Sequence, residues 1–71
     1  MNFTQFCAYV ADEFDTDSRG QRFGQFMMNQ LQGISPQLYE AIPGNVDCFY
    51  SDKLVSSCFA WLGENWDKYS F

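Results

Sequence analysis

The chain has 71 residues, enough for one domain, and 46% of them are hydrophobic and 20% aromatic. This is too apolar for a disordered segment, and eight Phe, four Tyr and two Trp supply the core area that a domain this small needs. A net charge of −5 disfavours direct binding to a nucleic-acid backbone or an anionic membrane surface, both of which need clustered Lys and Arg.

The first predicted element is a helix over residues 2–14. Phe3, Phe6, Cys7, Val10, Ala11 and Phe14 recur at spacings of three and four, which puts them on one helical face. Asn2 or Thr4 is the candidate cap. The polar stretch from Asp15 to Ser18 breaks this periodicity, and Asp17 or Ser18 is placed to cap a second helix ending near Gln32. Phe23, Phe26, Met27, Leu31 and then Ile34 are its apolar positions. Gly24 inside it costs about 1 kcal/mol relative to Ala, so it marks close packing against another helix, and Gly33 is placed as a left-handed stop.

Ser35-Pro36 restarts a short helix, with Ser as cap and Pro at the first helical position, where its missing donor is not needed. Leu38, Tyr39 and Ile42 face the core, and Pro43-Gly44-Asn45 ends the element. Residues 46–50 form a connector, with Cys48, Phe49 and Tyr50 as lids on the core, that leads to a last helix capped by Ser51 or Asp52 and running to about Trp66. Its stripe of Leu54, Val55, Cys58, Phe59, Leu62 and Trp66 is widened by Ala60 and Trp61, leaving residues 67–71 as a fraying tail. No alternating run of β-branched residues suggests a strand. The expected fold is all-α, a compact bundle of three to four short helices in a single domain spanning residues 1–71.

The segment DTDSRG, residues 15–20, resembles the start of a calcium loop. Asp15, Asp17 and Gly20 fill positions 1, 3 and 6 of an EF-hand, but Arg19 stands at ligand position 5 and Phe26 at position 12, where a bidentate Glu is required. The segment therefore reads as an acidic helix start, favourable for the helix dipole, with no metal bound. The chain has no histidine, which removes most zinc sites, Ser–His and Cys–His nucleophile pairs and the commonest general base. Asp12 and Glu13 point about 100° apart on a helix, and Glu64 and Asp67 share a face only near a C-terminus. No catalytic group and no cofactor is assigned. Gly20 and Gly24 lack the spacing and the preceding strand of a phosphate loop. Arg19 and Arg22 either pair with Asp12, Asp15 or Asp17 or grip an anionic group on a partner.

Three cysteines, an odd number without CxxC spacing, do not form the even framework of a small secreted domain. The N-terminus lacks a basic region followed by an apolar run, and no stretch of about 18 apolar residues occurs. The expected setting is cytoplasmic, with thiols packed as small apolar groups.

Fourteen aromatics are more than such a bundle hides easily. Tyr9, Tyr50, Trp61, Trp66, Tyr69 and Phe71 are expected to be partly exposed, and exposed Trp and Tyr rimmed by carboxylates suit a protein interface.

The run RGQRFGQFMMNQL, followed by SPQLYEAIPGNVDCFYSDKLVSSCFAWLGENW, resembles a group of short acidic proteins encoded by tailed phages, including phages of cyanobacteria. The similar elements are RGQRFGQ with a following NxL, the P-x-LY-x-x-I segment, the D-x-FY-x-D connector and the WL-x-x-NW helix, together covering residues 19–66. The resemblance implies a small phage protein acting in the cytoplasm of an infected bacterium, where proteins of this kind often bind one host enzyme or defence complex. It brings no functional residues with it.

On these grounds the expected function is a non-enzymatic interaction module that inhibits or modulates a host protein, possessing one edge made of Tyr9, Asp12, Glu13, Asp15 and Asp17 and another made of Tyr50, Trp61, Glu64 and Trp66. The carboxylates suit a partner with a basic, nucleic-acid-binding surface. The alternative is a structural role, as a homo-oligomer or a small subunit of a larger assembly, using the wide apolar surface of the last helix.

Overall fold

The computed structural model describes residues 1–17 and 20–69. Helix α1 (Phe3–Asp17) is followed by α2 (Phe23–Ile34), α3 (Pro36–Ala41), a 3-10 turn (Asp52–Leu54) and α4 (Val55–Tyr69), and no strand occurs among the described residues. The all-α bundle read from the sequence is the observed fold. Helix α2 packs on α1 and α3, and α4 closes the bundle against α1 and α3. The Cα radius of gyration is 11.1 Å, which matches the value of about 11 Å for a well-packed chain of this length.

Helix α1 begins with a reciprocal cap. The Gln5 amide donates to Asn2 Oδ1 at 2.7 Å and the Asn2 amide donates to Gln5 Oε1 at 2.8 Å. Two of the helix's orphan donors are thus satisfied by a capping box with Asn2 as the cap. The helix then continues through the acidic stretch to Asp17, which is its last residue and not the cap of α2. Ser18 lies outside the described residues.

Helix α2 starts at Phe23, later than the sequence suggests, and the Arg22 side chain makes no cap. The cap arrives from a distant part of the chain: Asp52 Oδ1 accepts from the Gly24 amide at 3.0 Å. A carboxylate at this position satisfies an orphan donor and meets the positive end of the helix dipole. Asp52→Ala is therefore expected to destabilise the fold by about 1 kcal/mol, the usual cost of a lost cap, as a lower urea midpoint with an unchanged slope.

Gly33 does not stop α2, which continues through it to Ile34, and Ile34 is exposed. The stop comes at Ser35, whose amide still donates to Leu31 O at 2.8 Å while its hydroxyl accepts from the Leu38 amide at 3.4 Å to cap α3. A Cβ added at Gly33 meets nothing within 4 Å. Gly33→Ala is expected to raise stability by about 0.5–1 kcal/mol, read as a higher Tm, because it removes only chain entropy.

The core gathers Phe6 and Val10 of α1, Phe26, Met27, Met28 and Leu31 of α2, Leu38 of α3, Cys48 of the connector, and Cys58, Leu62 and Trp66 of α4. A chain of ring contacts ties the helices together. Phe6 lies on Trp66 at 5.1 Å, Trp66 on Phe3, Phe3 on Phe59, Phe59 on Phe23, Phe23 on Phe14 and Phe14 on Phe26, with later separations between 5.2 and 6.2 Å. Tilted and edge-on pairs of this kind add to plain area burial. Among the described residues no buried side-chain polar atom lacks a hydrogen-bond partner, and no helix is long and apolar enough to cross a membrane.

Residues 67–69 are helical, so the expected fraying does not occur there, while Ser70 and Phe71 lie outside the described residues. The start of α4 also differs from expectation. Ser51 makes no side-chain cap, and the 3-10 turn leads into the helix.

Candidate protein-interaction surface

Tyr50 is 83% exposed, the most exposed large hydrophobic side chain among the described residues, so it is not a lid on the core. It stands in a connector tied down on several sides. The Phe49 amide donates to Asp47 Oδ1 at 2.9 Å, an Asx turn, and the Ser51 amide donates to Cys48 O at 3.3 Å. Arg22 Nη2 donates to Phe49 O at 3.0 Å, and Cys48 is fully buried below. The Phe49 ring meets Tyr50 edge-on at 4.7 Å. The loop therefore holds one large aromatic outward on an ordered backbone, so little conformational entropy remains to be lost when a partner covers it.

Among the described side chains Arg22 pairs with Asp52 and not with Asp12 or Asp15, two of the partners expected from sequence proximity; the Asp17 side chain lies outside them. The Arg22 guanidinium lies 3.8 Å from Asp52 Oδ1 and is spent on the connector. Half-exposed on both sides, this ion pair contributes little by itself. Arg19 lies outside the described residues.

The first predicted edge lies along α1. Tyr9, Asp12 and Glu13 are neighbours at helical spacing, with Asp15 on the adjoining face. Asp12 and Asp15 are exposed and Glu13 is half-buried. Tyr9 is half-buried, and its hydroxyl donates to Gln30 Oε1 of α2 at 2.8 Å, so it braces the α1–α2 contact as well as the edge. Asp17 ends the helix, and its side chain lies outside the described part of the molecule. Because Asp15 and Asp17 are helical, these residues do not adopt the open loop of a calcium site. Among the described residues no group of three or more His, Cys, Asp or Glu is placed to hold a metal ion.

The second edge is only partly assembled. Trp61 is half-buried and stacks on Tyr69 at 6.3 Å with an interplanar angle of 19°, and Glu64 is exposed one turn along α4. Trp66 does not belong to this surface. It is 3% exposed, it packs on Phe3 and Phe6, and its Nε1 donates to Met1 O at 3.1 Å. The i, i+4 and i, i+8 relation to Leu62 and Cys58 places it on the buried stripe of α4, and the N-terminal carbonyl satisfies the indole that would otherwise need water. Tyr50 and Trp61 are not paired with each other among the described residues, since the ring contact of Tyr50 is with Phe49 and that of Trp61 is with Tyr69.

The sequence reading missed the braces of the connector. Asp47-x-Phe49 carries a local signal, because an Asp side chain commonly accepts from the amide two residues on. The Asp52–Gly24 and Arg22–Phe49 links span 28 and 27 residues and have no such local signature.

The thiols are distributed unevenly. Cys7, on α1, is half-buried, and burial pushes its pKa up. Cys48 and Cys58 are fully buried, the Cys48 thiol donating to the Gly24 carbonyl oxygen at 3.8 Å and the Cys58 thiol meeting Met28 Sδ at 3.9 Å. Interaction between the two thiols, with burial behind it, pushes Cys58 up, while the same interaction draws Cys48 down against its own burial.

Comparison with protein-family models, curated proteins and solved structures finds no match to this chain. The fold and surface define its class as a small all-α domain that presents aromatic side chains and carboxylates to solvent.

Proposed function

We propose that this chain is a non-enzymatic protein-interaction module, encoded by a phage and acting in the cytoplasm of an infected bacterium, where it binds and inhibits or modulates a host protein. The observation that supports this reading is the outward Tyr50 on a braced connector. A large aromatic, exposed and held by hydrogen bonds on both sides, has the character of an interface anchor. The carboxylates of Asp12, Glu13, Asp15 and Glu64, within a net charge of −5, steer the molecule toward a basic partner surface, such as one that otherwise holds nucleic acid. The phage setting rests on the sequence resemblance alone.

Tyr50→Ala tests this reading cleanly, because the loop is held by backbone and Asp contacts that the substitution leaves in place. The tagged chain captures proteins from a bacterial lysate beside the variant, and captured proteins are identified by mass spectrometry. One stoichiometric host protein is expected, with affinity at least about 30-fold weaker for Tyr50→Ala, the loss of a typical anchor of about 2 kcal/mol. Its association rate is expected to fall as salt rises. Circular dichroism and Tm of the variant should match the parent. Recovery of the chain with only copies of itself, together with concentration-dependent sedimentation, would replace this reading with the homo-oligomer.

A further inference from the structure

Four phenylalanine rings lie in an unbroken row across three helices. Phe14 meets Phe23 edge-on at 5.2 Å, Phe23 lies on Phe59 at 6.1 Å, and Phe59 meets Phe3 at 6.2 Å. Each of the four packs against the core but is only half-buried, so the row shows a continuous apolar edge to solvent. Phe3 and Phe14 stand on one side of α1, about 16 Å apart along the helix. The wall on the α4 side is low. Gly63 is exposed there, and a Cβ added to it would stand 3.2 Å from the Phe3 ring, so that ring rests against bare backbone. Carboxylates border both ends of the row. Asp15, exposed, follows Phe14 on α1, and Asp67, also exposed, stands one turn beyond Gly63 on α4. Helix α1 carries Asp12, Glu13, Asp15 and Asp17 and no Lys or Arg. Arg22, beside Phe23, is turned to Phe49 O and Asp52.

We propose that this row is a docking strip for one amphipathic helix of a partner protein, apolar on the face that meets the rings and rich in Lys or Arg along its flanks. The proposal rests on the reading of the chain as an interaction module and adds the element that the partner supplies. The length fits, because apolar side chains at i, i+4, i+7 and i+11 of a helix also cover about 16 Å. Anchors at that spacing laid along an apolar seam are a recurring way for one protein to hold a helix of another. Charge decides against other occupants. A second copy would bring another net charge of −5, with its own α1 carboxylates set against the first. An anionic membrane surface is repelled in the same way. A basic helix gains from those carboxylates, which speed its approach and fix its position.

The test titrates the isotope-labelled full chain with an amidated peptide of about 15 residues, carrying Leu at i, i+4, i+7 and i+11 and Lys and Ala elsewhere. Nuclear magnetic resonance follows the backbone amides. Saturable one-to-one binding is expected, with shifts concentrated in α1, the start of α2 and the first half of α4. A peptide of the same composition with its leucines scattered, and one with Glu in place of Lys, are each expected to bind at least about tenfold more weakly. Ala11 is exposed and one turn from both Cys7 and Phe14, so Ala11→Gln raises the wall of the strip without removing core. This variant should keep the parent's Tm and bind the peptide about tenfold more weakly. Tyr50→Ala should bind it like the parent, because the ring contact of Tyr50 is with Phe49, outside the row. Equal binding of the scattered peptide, unchanged affinity in folded Ala11→Gln, capture by anionic vesicles, or sedimentation showing copies joined through the strip would each overturn the proposal. Absence of peptide binding overturns the strip and leaves host capture through Tyr50 standing. Absence of host capture with peptide binding intact removes the host reading alone.

Discussion

Gly24→Ala is expected to destabilise this protein by about 3 kcal/mol, a fall in Tm of about 15 °C for a domain of this size. Helix propensity predicts the opposite sign, since Ala is favoured over Gly by up to about 1 kcal/mol in a helix. The close approach of the connector decides the matter. A Cβ at position 24 would stand 2.3 Å from Cys48 O and 2.8 Å from Asp52 Oδ1. The Asp52 side chain can swing aside, at the cost of the cap on α2. The Cys48 carbonyl cannot move so easily, because its residue is buried and the carbonyl accepts from the Ser51 amide. The connector must lift by roughly 1 Å to restore an ordinary van der Waals contact. Thermal unfolding followed by circular dichroism measures the effect, and a Tm equal to or above the parent's would mean that the connector does not dock on α2. The same variant should also weaken partner capture, because Tyr50 is positioned by the lifted segment. Gly33→Ala, the same chemical change in open space, carries the opposite expected sign.

Phe6→Ala is expected to cost about 3–5 kcal/mol, comparable with the whole stability of a chain this short. Phe6 is fully buried and its ring lies against Trp66, which in turn holds Phe3 and the Met1 carbonyl. Removing the ring empties the contact between α1 and α4 and leaves the indole with one fewer packed face. Urea unfolding should give a midpoint near zero denaturant, and the near-ultraviolet signal of Trp66 should collapse at 37 °C. A loss below about 1 kcal/mol would mean that α1 repacks onto α4 without it. The burial of Trp66 also fixes which aromatics suit a binding experiment. Truncating Trp66 removes core, whereas truncating Tyr50 removes only surface.

Much of the fold was legible because it rests on local rules. The spacing of Phe3, Phe6, Val10 and Phe14, and of Cys58, Leu62 and Trp66, states a helix and its inward face whatever the partners are. Ser35-Pro36 states a helix start because Ser supplies an acceptor and Pro lacks a donor that position does not use. The candidate surface was less legible. Tyr50, Asp12 and Asp15 stand outward, Glu13 is half-buried, and Trp66 is covered by Phe3, Phe6 and the Met1 carbonyl, contacts that its place on the inward stripe does not by itself specify.

The division has one physical basis. The sequence by itself determined that the chain folds as an all-α bundle with an aromatic-rich interior and a net negative charge, because period and composition act over a few residues. Only the tertiary structure decided where α2 begins, why Gly24 is needed, which tryptophan is hidden and how Tyr50 is held out. Each of these turns on a contact such as Asp52 to Gly24, Arg22 to Phe49 or Trp66 to Met1, between residues 27 to 65 apart in the chain. A donor and acceptor that far apart leave no periodic trace in the sequence, and they meet only after the helices have packed.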